Sequence, residues 1–224
     1  MIESDYIIRM FTLLGKALAR VALRKETKEY EEAAGEVDES SKALLGLSVE
    51  MLIRLPIPDL HRLFGSDPAI AKTRFYIAGL LLRQTGELAG FAGRDDESTE
   101  ILFKSLSLIF EYVPGEDDLE SDRLVETADF LLLKLDDYDL PAALKEKTAA
   151  YYENRGMYAK CEDVIFQLIE EKPDFLPEAI SFYERFLAKQ DADLESGNLP
   201  REEVEASLSE IRSKLEKITN GSRC

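Results

Sequence analysis

Few side chains in this chain are of the kinds that do chemistry, and they are scattered. One histidine, His61, lies in PDLHRLFG. A lone imidazole needs Cys or carboxylate partners at ligand spacing to hold zinc, and none flanks it. Ser-His-Asp catalysis lacks a GxSxG context, and the glycine pairs in GFAG and GRDD lack both the Walker lysine and a preceding strand. Two cysteines, Cys161 and Cys224, make no CxxC pair. Cys161 is expected as a small buried apolar residue and Cys224 as a thiol on a frayed tail. Acidic clusters stand at Asp95, Asp96 and Glu97, at Glu116, Asp117 and Asp118, and at Asp136, Asp137 and Asp139. None follows the calcium-loop pattern of alternating oxygen ligands, central Gly and final bidentate Glu. Acids at helix starts complement the helix dipole, so no catalytic residue, no metal and no cofactor is expected. A metal-dependent hydrolase on an α-helical scaffold is the enzymatic alternative.

The elements that would carry such residues are all helical by pattern. Hydrophobic residues make up 45% and charged residues 33% of 224, the composition of a folded chain. A net charge of -17 argues against nucleic acid, whose phosphates call for clustered Lys and Arg. No uncharged apolar run reaches the length of a membrane-spanning helix. Glu3, Asp5, Arg9, Lys16 and Arg20 are wrong for a secretion signal, so a cytoplasmic address is expected. Apolar residues recur at helical spacing nearly throughout. Helices are predicted over about 5–25, 41–55, 67–85, 96–112, 121–135, 141–155, 157–172, 177–189 and 201–219, with a short turn at DLHRLF. The stretch KETKEYEEAAGEVDESSK reads as a solvated acidic connection. The expected layout is an N-terminal amphipathic docking helix (1–28), an acidic connection (29–40), one helical domain (41–219) and a frayed tail (220–224).

Residues 149–173, AAYYENRGMYAKCEDVIFQLIEEKP, resemble the second half of a tetratricopeptide repeat. Gly156, Tyr158, Cys161 and Pro173 take the places of its inter-helix Gly, aromatic, small residue and closing Pro. Phe75, Gly79, Leu82 and Gly86 match a first helix of such a repeat, although ten residues, ELAGFAGRDD, then intervene. Pro114 closes the following helix. The stretch 177–219 is a weaker copy, and Lys145 and Leu168 depart from the pattern. The implied fold is all-α, with antiparallel helical hairpins forming a degenerate tetratricopeptide-like array. In such an array first-helix residues line a concave groove. The resemblance places Tyr76, Arg83 and Gln84, and Glu146, Glu153 and Asn154, in that groove.

The opening, DYIIRMFTLLGKALA followed by LRKETKEYEEA, is similar to the N-terminus of an uncharacterised firmicute family of unknown function with tetratricopeptide-like helices. Asp5, Tyr6, Ile7, Arg9, Met10, Ala17, Leu18, Ala19 and Lys25 carry that likeness. It implies bacterial origin and fold and brings no activity with it.

Residues 1–28 hold six basic and three acidic side chains, a net of +3, so the other 196 residues carry -20. At about 100° per residue, Asp5, Arg9, Thr12, Lys16, Arg20 and Arg24 form one stripe. Ile7, Met10, Phe11, Leu14, Leu18 and Val21 lie on the wider apolar remainder and are the expected docking residues. Three uses of this helix compete, ranked as packing in the chain's own core, then a homodimer interface, then a membrane surface. The expectation is a non-enzymatic interaction module, self-associating, that presents a groove to an unknown protein or peptide. Peripheral membrane attachment through the first helix is the other alternative.

Overall fold

The computed structural model describes residues 2–112 and 121–221. Among them are twelve α-helices and one 3-10 turn, with no strand. The chain divides into two units, Met1–Asp139 and Leu140–Cys224.

In the first unit, α1 (Ile2–Glu26) packs on α2 (Tyr30–Leu45) as an antiparallel pair. Met10, Leu14, Ala17 and Val21 fall on one face of α1 and are 1–3% exposed. Burying the larger three contributes about 1.5–3 kcal/mol each. Across the seam, Arg20 pairs with Glu36 and Arg24 Nη1 donates to Glu29 Oε2 at 3.1 Å. Residues 29–40, read from composition as a solvated connection, are therefore mostly helix. Ala33 and Val37 are at most 1% exposed, and with Ser40, Ser41 and Leu44 they make a narrow seam beneath an acidic outer face. Small side chains allow α2 to lie close to α1, and the surrounding glutamates hide that periodicity in composition. Gly46, at φ 73°, ends α2 in the left-handed conformation that glycine adopts without a Cβ clash.

Next come α3 (Val49–Arg54), capped by Ser48, whose hydroxyl accepts from Met51 N–H at 3.2 Å, and α4 (Ile57–Phe64). The expected helix 41–55 is thus the end of α2 plus α3, and the expected turn DLHRLF lies within α4. Pro56 stands between them, where its missing N–H costs nothing at a helix start. Asp67 caps α5 (Pro68–Phe91), its Oδ1 accepting from Ala69 and Ile70 N–H at 3.0 Å. This helix runs beyond the predicted end at Thr85, taking in the first half of ELAGFAGRDD, and turns into α6 (Asp95–Ile109).

The α5–α6 contact is close because two glycines face it. A Cβ on Gly79 would lie 2.6 Å from Ile109 Cδ1, and one on Gly86 2.7 Å from Leu102 Cδ2. Two serines of α6 complete the seam: Ser105 Oγ donates to Gly79 O and Ser98 Oγ to Gly86 O, both at 2.7 Å. The last helix of the unit is α7 (Ser121–Lys134). The expected stop at Val113–Gly115 and the acidic cluster Glu116–Asp118 lie outside the described residues.

The second unit holds α8 (Ala142–Asn154), α9 (Tyr158–Glu171), a 3-10 turn at Pro173–Phe175, α10 (Leu176–Leu187), α11 (Asp191–Ser196) and α12 (Arg201–Gly221). Gly156, at φ 67°, makes the α8–α9 turn, Tyr158 is buried, and Cys161 Sγ donates to Ala149 O at 3.1 Å across the hairpin. Lys145, at a position where a large apolar residue was expected, is 2% exposed and forms an ion pair with Glu171. The core gathers Tyr158, Ile165, Leu168, Phe182, Tyr183, Phe186 and Val204. Gly197 touches the α8–α9 turn so closely that a Cβ there would lie 2.5 Å from Gly156 O.

Candidate functional site

Three helices of the first unit bring matching stripes to one cleft of about 440 Å³. From α1 come Phe11, Leu14, Gly15 and Leu18, and from α7 come Arg123, Glu126, Thr127 and Phe130, each set at i, i+3, i+4 and i+7. Such spacing puts four residues on one side of a helix. Tyr76, Leu80 and Arg83 of α5 complete the lining. The apolar part is aromatic: Phe11 and Tyr76 have centroids 5.9 Å apart, and Tyr112 lies 5.3 Å from Tyr76. Gly15 opens the α1 wall, since a Cβ there would meet nothing within 4 Å.

The charged end is held in place before any ligand arrives. The Arg83 guanidinium lies 3.8 Å from the Phe130 ring centroid, a cation–π contact. Its Nε donates to Glu87 Oε1 at 2.9 Å, while Glu87 Oε2 pairs with Lys25. Lys25 Nζ also donates to Gln84 Oε1 at 3.2 Å. All three charged groups are half-buried or less exposed, at 15–24%, so water screens them less than it would surface pairs. The basic edge of α1 thus meets acids of its own chain at Arg20, Arg24 and Lys25, while Arg9 and Lys16 remain exposed.

Of the docking residues expected on α1, Met10, Leu14 and Val21 are buried within the unit, while Ile7, Phe11 and Leu18 are partly exposed. Of the groove residues, Tyr76 is 1% exposed rather than solvent-facing, because Phe11 and Tyr112 cover it. Arg83 lines the cleft and Gln84 is taken up by Lys25. The structure therefore brings Phe11, Leu14, Leu18, Tyr76 and Arg83 together. Glu146, Glu153 and Asn154 belong to the second unit. There Lys172 Nζ donates to Glu146 at 2.9 Å, Arg185 grips Glu153 through two bonds of 2.7 and 2.9 Å, and Asn154 is exposed at the end of α8. The α7 wall, Arg123 to Phe130, was not anticipated, although its i, i+3, i+4, i+7 spacing is readable once the helix phase is known.

His61 sits on the surface, with Nε2 2.8 Å from Glu111 Oε2 and its ring 4.4 Å from that of Phe75. Among the described residues no group of three or more His, Cys, Asp or Glu is placed to hold a metal ion, and no helix is long and apolar enough to cross a membrane. Burial pushes the Cys161 thiol up to about 12, which leaves it no nucleophilic thiolate near neutrality. A second depression of about 430 Å³ between α10 and α12 has a mainly charged and hydroxyl lining, including Glu205, Arg212 and Glu216.

Neither the comparison with curated proteins nor that with solved structures finds a match. Residues 1–216 match a family described as being of unknown function, DUF6483, and the chain belongs to that family.

Proposed function

We propose that this chain is a non-enzymatic protein-interaction module of the bacterial cytoplasm, and that its working surface is the cleft framed by α1, α5 and α7. One observation carries the reading. Walls spaced at i, i+3, i+4 and i+7, with an aromatic floor and a pre-positioned guanidinium, suit an inserted amphipathic helix. Binding there needs no bond-making: apolar anchors of the incoming helix displace water from Phe11, Leu18 and Phe130, and Arg83 meets a polar group at one end. Self-association belongs to the same reading, with a second copy as one occupant. The left-handed turn at Gly156 and the glycine-faced α5–α6 contact support assigning the hairpins to the tetratricopeptide-like class.

The test is a photo-reactive phenylalanine analogue in place of Gly15, where space is open, against the same probe in place of Glu195 on α11. Illumination in the native cell is expected to join the Gly15 probe to a defined protein, and mass spectrometry sorts a second copy from a different partner. Equal, diffuse labelling from both positions sinks the reading. Membrane attachment has its own motivating observation, Ile8 and Leu23 of α1 at 57% and 61% exposure beside Arg9 and Lys16. Flotation with liposomes, unchanged after removal of residues 1–28, would eliminate it.

A further inference from the structure

The second unit contains a carboxyl group whose near polar neighbours, among the described residues, are hydroxyls and other acids. Glu162 of α9 is 7% exposed. The Tyr183 hydroxyl of α10, itself fully buried, donates to Glu162 Oε1 at 2.8 Å, and Ser207 of α12 hydrogen-bonds the same carboxyl. Its charged neighbours from the elements around it are acidic: Asp163 on α9 and Glu203 on α12. Cys161, beside it on α9, is neutral because its thiol is buried. Arg185 of α10, a cation that acts on neighbouring Cys161, is engaged in the bidentate pair with Glu153 of α8. An ionised carboxylate removed from water, served only by hydroxyls and facing two other acids, is disfavoured.

We propose that Glu162 is a proton-operated latch: in its neutral form it ties α12 to α9 and α10, and its ionisation loosens α12. Three helices meet at this one group, so losing its neutral form affects all three packings. Desolvation raises the Glu162 pKa above its usual value of 4.5; the Tyr183 and Ser207 hydroxyls, which favour the charged form, offset part of this, and repulsion from Glu203 and Asp163 adds to it. A carboxyl whose folded value is raised holds its proton more tightly in the folded state. The latch is therefore fully closed in acid and weakens as pH climbs above 4.5 through the raised value. The inference is independent of the cleft, whose residues all belong to the first unit.

Hydrogen exchange of the full-length chain, read on α12 peptides between about pH 5 and 8 and corrected for intrinsic exchange, tests it. Protection of α12 is expected to fall severalfold across this range in the native protein, with α5 peptides as the internal reference. Glu162→Gln keeps an oxygen acceptor for Tyr183 but has no proton to lose, and is expected to hold α12 protection flat with pH. Glu203→Gln removes a facing charge that favours the neutral form while leaving the carboxyl, and is expected to move the loss of protection to lower pH and to make it smaller. If the native chain shows no pH-dependent change in α12, or Glu162→Gln retains the native pH profile, the latch is overturned. Should Glu162→Gln fold poorly, an unshifted profile in Glu203→Gln overturns it equally.

Discussion

Adding a single methyl group at Gly79 tests the claim that α5 and α6 approach each other through missing side chains. Alanine in the middle of a helix is favoured over glycine by about 1 kcal/mol, so an unobstructed Gly79→Ala would stabilise. Here the new Cβ would lie 2.6 and 2.8 Å from Ile109 Cδ1 and Cγ1 and 3.3 Å from its backbone nitrogen. Ile109 is fully buried, and relieving that overlap means moving α6. Overpacking of this kind costs about 1–3 kcal/mol. Separation of the helices also stretches the bond from Ser105 Oγ to Gly79 O, a loss of about 0.5–1.5 kcal/mol. The balance is a net destabilisation of about 1–3 kcal/mol. Gly35 in α2 is the control in the same unit, because a Cβ there would touch nothing within 4 Å. Gly35→Ala is expected to stabilise by about 0.5–1 kcal/mol. Urea titrations followed by far-ultraviolet circular dichroism should separate the two variants by about 2–4 kcal/mol, or about 5–15 °C in thermal midpoint. If Gly79→Ala stabilises as much as Gly35→Ala, the close approach does not exist and the account of the α5–α6 seam fails.

Three further outcomes are expected. Gly197→Ala places a Cβ 2.4 Å from Tyr158 Cδ2 and 2.5 Å from Gly156 O, and because a backbone oxygen cannot swing aside, the loss should exceed about 2 kcal/mol in the same titration. In a Cys224→Ser background, Cys161, buried and with its thiol pushed up to about 12, should stay unlabelled by iodoacetamide at about pH 8 until denaturant opens the second unit. Rapid labelling under native conditions would contradict its placement. Glu87→Gln removes the charge that Lys25 and Arg83 share, with an expected cost of about 1–3 kcal/mol and a weaker dependence of stability on salt. A salt response identical to that of the native chain would show that the network contributes nothing.

Helical character was legible because nearly every segment repeats apolar residues at helical spacing, and the punctuation was legible where one residue type has one physical meaning. Asp67 before Pro68 marked the start of α5, and Gly156 marked the α8–α9 turn. Composition misled where small residues make the seam. Ala33 and Val37 carry too little apolar area to stand out among Glu31, Glu32, Glu36 and Glu39, yet they suffice to seat α2. The end of α5 was missed for a related reason: Gly86, Gly90 and Gly93 look like loop residues, but the first faces Leu102 and only Gly93 has the left-handed backbone of a turn. At the cleft, sequence pointed to Arg83 by its position in a repeat and to Phe11 and Leu18 by the breadth of the apolar face of α1. That these residues share one cavity with Phe130 depends on contacts more than forty positions apart in the chain, which periodicity cannot encode.

The bond between Lys25 and Glu87 spans 62 residues. At about 5–20 residues per second, a ribosome needs about 3–12 s to make the partner that Lys25 waits for. Over that interval α1 and α2 can pair as a hairpin, but Phe11 and Leu18 have no α5 beneath them. The nascent chain thus leaves one side of α1 uncovered for seconds before α5 reaches it, and that pause is the period in which a holdase chaperone or premature association would act on this protein.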